Sequence, residues 1–194
     1  MGDVVVTEFI SLDGVIEDPG GSEGSVHGAW TFQFNRGDDG NKFKIDELMA
    51  ADAQLFGSVT YQGFAAAWPA RRETTGEFGV RINALPKYVV STTLSDADAG
   101  WENSTVFRDN VAAAVAGLKQ QVKGDILIAG SATLARSLHT EGLIDRVNLM
   151  LFPIVLGTGK RLFTEGLPPA SFELTELKPV GPDGVVVLAY RAKR

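Results

Sequence analysis

The chain of 194 residues contains no cysteine. That absence excludes a disulfide-stapled scaffold, a thiolate zinc or iron–sulfur site, and a cysteine nucleophile. Histidine is nearly as scarce, with only His27 and His139. Neither stands in a spacing that would ligate a metal or activate a serine, so neither a metal site nor a hydrolase triad is expected. Basic residues are outnumbered, 18 Lys+Arg against 24 Asp+Glu, for a net charge of −6. Such a chain has no general attraction to nucleic acid or to anionic membranes. No apolar run approaches the length of a bilayer span. Met1-Gly2-Asp3 carries an acid and no basic stretch, so no secretory signal is read and a cytoplasmic protein is expected.

What is present is ordinary for a globular chain: 44% hydrophobic and 22% charged residues. The 22 glycines and 8 prolines are spread along it rather than gathered in a linker, so one domain over residues 1–194 is expected. Only residues 17–35 lack clear periodicity, and they read as a long loop of the kind that often carries function.

The rest alternates strand-like and helix-like patterns. Strands are expected over 4–10, 54–56, 88–90, 105–107, 125–129, 147–155, 172–177 and 185–190. Helices are expected over 42–51, 60–68, 78–85, 111–122 and 131–139, with Asn110 as an N-cap and Gly142 closing the last. Gly181-Pro182-Asp183-Gly184 reads as a hairpin turn. This pattern describes an α/β fold with a mostly parallel central sheet and an antiparallel C-terminal hairpin. Ligands of such sheets sit beyond the carboxyl ends of the strands.

Three strand ends share one chemistry. Leu55-Phe56-Gly57-Ser58-Val59-Thr60 and Ile128-Ala129-Gly130-Ser131-Ala132-Thr133 each pass from strand through glycine into a helix, and Val90-Ser91-Thr92-Thr93 leaves its strand into a loop. Glycine admits a ligand to the backbone, and a helix start offers unpaired amides and a positive dipole end to phosphate. Alone, each is ordinary turn and cap chemistry. Together on one sheet edge they suit a molecule with several phosphates. Leu156-Gly157-Thr158-Gly159-Lys160-Arg161 adds a glycine turn with two cations, although it matches neither the dinucleotide fingerprint nor a P-loop.

Ser11-Leu12-Asp13-Gly14 ends the first strand. Ser11 and Asp13 are expected to face the cleft and bond donors on a heterocycle, against the plainer reading of Asp13-Gly14 as a turn pair. Trp30, Phe32 and Phe34 either stack on a ring or cover core. His27 is a possible substrate contact, and His139 sits favourably near a helix C-terminus. Asp38-Asp39 and Asp46-Glu47 read as a helix's acidic first turn and its solvated face.

In this order and spacing these motifs, with Pro86 to Leu94 and Gly142-Leu143-Ile144-Asp145 followed by Pro153 and Leu162-Phe163, resemble one family across nearly the whole chain. It is the dihydrofolate reductase-like family related to the C-terminal reductase domain of bacterial riboflavin biosynthesis proteins. The resemblance implies a three-layer fold with helices on both faces of the sheet, a homodimer, and NADPH as hydride donor. It implies that Gly57, Ser58, Val59 and Thr60, with Gly130, Ser131, Ala132 and Thr133, cradle the pyrophosphate. Ser91 and Thr92 match positions that contact a ribose phosphate, and Leu156, Gly157 and Gly159 lie near the cofactor. Residues 10–14 would border the nicotinamide and a pterin or pyrimidine-like substrate. Asp13 is the expected catalytic residue, with the proton coming from Asp13 or from water; an Asp donor needs a pKa raised by burial. Ser11, Asp13 and Trp30 are the expected substrate contacts. One departure matters: Ser58 stands where the family commonly has arginine on the 2′-phosphate, a role left to Lys160 or Arg161. Two other readings stay open, a dimeric nucleotide-binding module without turnover and a reductase of unrelated small carbonyls.

Overall fold

The computed structural model describes residues 1–193. Among them eight strands form one sheet: β1 Val4–Ser11, β2 Ala51–Gly57, β3 Lys87–Val90, β4 Ser104–Phe107, β5 Asp125–Ala129, β6 Arg146–Phe152, β7 Phe172–Val180 and β8 Val185–Ala192. Five α-helices join them: α1 Gly37–Ala50, α2 Ser58–Ala67, α3 Gly76–Ala84, α4 Val111–Gln121 and α5 Ala132–Thr140. The order is β4-β3-β2-β5-β1-β6-β8-β7. All neighbours are parallel except β8, which runs antiparallel to both β6 and β7.

The period of two sorts apolar side chains into layers. Val4, Val6, Ile126 and Ile128 pack with Val115 and Leu118 of α4 and Leu134 and Leu138 of α5. Their neighbours Val5 and Leu127 face the other way, onto Leu48 of α1, Tyr61 of α2 and Ile82 of α3. Each such buried side chain contributes about 1.5–3 kcal/mol. A third cluster joins Trp30 to Phe152 and to Val180, Val185 and Val187 of the hairpin. Helices therefore cover both faces, as the resemblance implies.

Several boundaries differ from expectation for identifiable reasons. Helix α1 starts at Gly37 rather than residue 42, because Asn35 Oδ1 accepts the Gly37 amide at 2.9 Å and Asp38 and Asp39 suit the positive end of the dipole. Strand β6 stops at Phe152, before Pro153, which has no amide to give a ladder. Asn110 occupies the cap of α4 but in a left-handed conformation, φ 47°, with no side-chain bond to the helix. Gly142 does close α5: its φ is 65° and Leu143 N–H reaches Leu138 O at 2.9 Å. Glu47 is not on a solvated face. It is buried, accepting from Thr7 Oγ1 at 2.9 Å and Asn148 Nδ2 at 2.7 Å and pairing with Lys44 at 2.7 Å.

One buried ion pair ties the start of the sheet together. Lys119 of α4 pairs with Asp145, just before β6, and Asp145 also accepts the Val4 amide at 2.8 Å. Both side chains are buried. Lys119→Met removes the buried ammonium from this pair, so urea unfolding at pH 7 should show a loss of about 3–5 kcal/mol. A loss below about 1 kcal/mol would place the pair in water.

Candidate functional site

Strands β3, β2, β5 and β1 end side by side, which brings the expected junctions to one edge of the sheet. Two of them are bonded directly. Gly57 N–H donates to Ser131 Oγ at 2.9 Å, and Ser131 N–H donates to Thr60 Oγ1 at 3.0 Å. Gly130 sits between them with φ 60°, and a Cβ there would stand 3.0 Å from Thr60 Oγ1. A side chain at Gly130 would press on Thr60 and strain the left-handed backbone there. Neither α2 nor α5 has a side-chain cap, and neither has an acid in its first turn. The first-turn amides of Ser58, Val59 and Thr60 and of Ala132, Thr133 and Leu134 thus open at two neighbouring positive helix ends. This donor set, free of opposing carboxylates, fits a diphosphate.

Ser91 and Thr92 follow β3 on the same edge, but they differ in use. The Ser91 hydroxyl turns inward and accepts the amides of Thr93 at 3.2 Å and Leu94 at 3.0 Å. Thr92 is exposed.

At and beyond the end of β1, Ser11, Asp13 and Trp30 are all engaged inside the protein, and one expectation, a raised Asp13 pKa, is overturned. Ser11 is buried: its hydroxyl donates to Asp13 Oδ1 at 2.7 Å and accepts the Val15 amide at 2.9 Å. Asp13 accepts the amides of Leu156 at 3.1 Å and Gly157 at 2.9 Å. The Ser11 hydroxyl and these two amides lower its pKa to about 2, so burial does not make it a proton donor. Ser11 and Asp13 instead pin the Gly157 turn to the end of β1, where Val15 and Arg161 form a bridge. Trp30 takes the core role. It is fully buried, edge-on to Phe152 at 5.4 Å, and its Nε1–H donates to Glu17 O at 2.9 Å. Phe32 is 76% exposed.

The cations of the Gly157 turn are also engaged. Arg161 Nε donates to Asp13 O at 2.8 Å, and Lys160 pairs with Glu17 at 3.1 Å. Gly159, with φ 128°, packs on Val15 and Glu17. Beside this turn a cavity of about 540 Å³ opens between the long loop and α2, lined by Glu17, Glu23, Lys160, Val59, Gly63 and Ala67 among others. The loop over it is ordered by Asp18, whose carboxylate accepts the amides of Glu23 at 2.9 Å and Ser25 at 3.0 Å. Burial, then Asp18, raises the Glu23 pKa, against Lys160. His27 donates its amide to Ser25 Oγ and does not line this cavity. His139 Nε2 contacts Pro168 O at 2.8 Å. No group of three or more His, Cys, Asp or Glu among the described residues could hold a metal.

Sequence reasoning passed over Glu8. It is 5% exposed in β1, and its Oε1 has no hydrogen-bond partner. Desolvation raises its pKa well above the usual carboxyl value; Lys44 and the Gly130 amide oppose that, while Glu23 and Glu47 add to it. The available signal was a carboxylate inside the apolar run Val4-Val5-Val6-Thr7-Glu8-Phe9-Ile10.

A sheet of this order, with paired helix starts at the ends of β2 and β5, defines the dihydrofolate reductase-like architecture. Dihydrofolate reductase from Enterococcus faecalis, solved as a complex with NADP(H) and RAB-propyl, is similar over 100% of this chain and 98% of its own, with TM-score 0.60 and 14% identity. Residues 3–186 match the family model described as the RibD C-terminal domain, and the chain belongs to that family. A putative riboflavin biosynthesis protein from Shewanella sp. PV-4 is similar over 100% of both chains, with TM-score 0.77 and 22% identity. A deaminase/5-amino-6-(5-phosphoribosylamino)uracil reductase from Thermotoga maritima is similar over 99% of this chain but 57% of its own, with TM-score 0.62 and 14% identity. In sequence the chain is 27% identical over 190 residues to the uncharacterized protein YyaP of Bacillus subtilis (strain 168), covering 96% of this chain and 93% of that one. No helix among the described residues is long and apolar enough to cross a membrane.

Because the Asp13 pKa is lowered on folding, its contribution is present above the unfolded value of 3.8 and lost as pH falls through about 2. Asp13→Asn should cost about 1–3 kcal/mol at pH 7. Thermal melts at falling pH should show the gap to the parent protein closing as pH approaches 2.

Proposed function

We propose that this chain is an NADPH-dependent reductase that delivers hydride to a small pterin- or pyrimidine-like heterocycle, acting as a homodimer. Family membership supports an oxidoreductase in general. One observation carries the finer reading: two adjacent uncapped helix starts, stitched through Ser131 and lacking any acid, form a cradle for a dinucleotide's diphosphate. The E. faecalis complex with NADP(H), which shares the fold, supports the same choice of ligand.

A reduced nicotinamide supplies a hydride equivalent. The chain's own residues hold the diphosphate at α2 and α5 and bring the rest of the molecule along the sheet edge toward β1. The long loop, ordered by Asp18, covers the space between β1 and α2 and limits water there. Ser58 offers no positive charge to a 2′-phosphate, and Lys160 and Arg161 are paired with Glu17 and Asp13. Coenzyme preference therefore needs direct comparison of NADPH with NADH. The internal engagement of Ser11, Asp13 and Trp30 favours a second reading, a nucleotide-binding module without turnover.

Thermal melting with NADPH at 100 times its Kd should show about 2.7 kcal/mol of stabilisation. Absorbance of the reduced nicotinamide should then fall when pterin- or pyrimidine-type substrates are added. Stabilisation with no turnover on any substrate supports the binding module. Thr133→Glu places a carboxylate at the exposed first turn of α5. It should keep or raise the ligand-free melting temperature, because the acid suits the dipole, while weakening NADPH binding at least about tenfold.

A further inference from the structure

The sheet changes its direction of winding between β5 and β1. The chain leaves β5 at Ala129, turns at Gly130 and enters α5 on one face, whereas from β1 it leads on to α1 on the other. The last pair between the two strands is Thr7 with Ala129. Beyond it, β1 continues through Glu8, Phe9, Ile10 and Ser11 paired only with β6. That unpaired side lies at the switch point where doubly wound sheets take their ligands in a crevice beyond the strand ends.

Glu8 is the first residue past the last pair. It stands beside Gly130, whose amide is close enough to act on its carboxyl, and Gly130 is the residue between the two diphosphate-binding junctions. The side chain is buried; the Gly130 amide hydrogen-bonds its carboxyl, no salt bridge is made to it, and Oε1 has no partner. Glu23 reaches toward it from the long loop, and Lys44 and Glu47 act on it from α1. Lys44 is held by Thr7 and Glu47, so it does not neutralise Glu8 by contact. Burial therefore raises its pKa and favours the protonated form. Leucine or valine would be more stable at this position, so the strand carries a buried carboxyl at a cost to folding.

We propose that Glu8 is the proton donor of the reduction performed in this crevice; the inference rests on the reductase reading above. Hydride adds to the carbon of a C=N or C=O bond in the substrate, and the π electron pair moves onto the nitrogen or oxygen. That atom forms its new bond to the proton of the Glu8 carboxyl, whose O–H bond breaks. Glu8 is left as a carboxylate and regains a proton from water. The substrate is reduced by two electrons and the nicotinamide is oxidised. Asp13, with its pKa about 2, cannot fill this role near neutral pH.

The test compares the parent protein with Glu8→Gln and Glu8→Asp. Glu8→Gln should bind NADPH within threefold of the parent Kd, lose about 100-fold or more in kcat, and lose the alkaline limb of the parent's pH profile. Glu8→Asp should recover part of the rate with the limb displaced. Turnover of Glu8→Gln within threefold of the parent, or an unchanged limb, overturns the proposal and leaves the reductase reading standing. A parent protein that neither binds NADPH nor turns over any substrate overturns both. A readout independent of activity is carboxyl carbon-13 NMR, with Glu8 assigned by its loss in Glu8→Gln. The Glu8 signal should be that of a neutral acid at pH 7 and should move when NADPH saturates the protein. An ionised Glu8 at pH 6, or a signal indifferent to bound NADPH, overturns the proposal.

Discussion

Two hydrogen bonds through Ser131 hold the site's geometry. One fastens Gly57 at the end of β2, the other fastens Thr60 in the first turn of α2, and Ser131 itself begins α5. A single residue thereby fixes the separation of two helix starts. The bonds also use up one amide from each junction, which directs the remaining first-turn amides outward. The left-handed backbone at Ser131, φ 57°, and at Gly130, φ 60°, is what turns the chain sharply enough to bring them together. A residue with a Cβ at Gly130 would press on Thr60.

The second organising feature is the use of carboxylates to shape loops. Asp13 fastens the Gly157 turn to the end of β1, and Asp18 folds residues 18–25 around its two oxygens. Each satisfies backbone amides that would otherwise be orphaned in a long connection. The long loop is consequently a built wall of the cavity. Its inner surface presents Glu17 and Glu23 opposite Lys160, and its base packs Trp30 into the hairpin's core. Asp13 keeps its charge because the Ser11 hydroxyl and the Leu156 and Gly157 amides bond to it. Glu8 meets only the Gly130 amide and is left with an unpartnered Oε1.

Much of the architecture was legible because period-two apolar runs such as Val4-Val5-Val6 and Ile126-Leu127-Ile128 are unambiguous, and because glycine at 57, 130 and 142 marks where strands and helices stop. The adjacency of the junctions after β2 and β5 was legible for the same reason. The roles at the end of β1 were not. Ser11 and Asp13 sit two residues apart in a turn, and nothing local shows that Val15, Leu156 and Gly157 arrive to occupy them. Trp30 could be assigned to core or to ligand only once Phe152 and the C-terminal hairpin were in place around it. Glu47 looked solvated beside Asp46 because its partners, Thr7 and Asn148, lie far away in sequence. Glu8 was visible as an anomaly of composition, but its meaning depends on β5 ending one residue earlier than its neighbour needs.

The central claim is that the ends of β2 and β5 together make one anion cradle. It is tested most directly by a crystal structure grown with NADPH. The account predicts density for the diphosphate between the first turns of α2 and α5, with the nicotinamide running toward β1. A dinucleotide seated elsewhere on the protein, or a cradle without ligand at saturating NADPH, would contradict it.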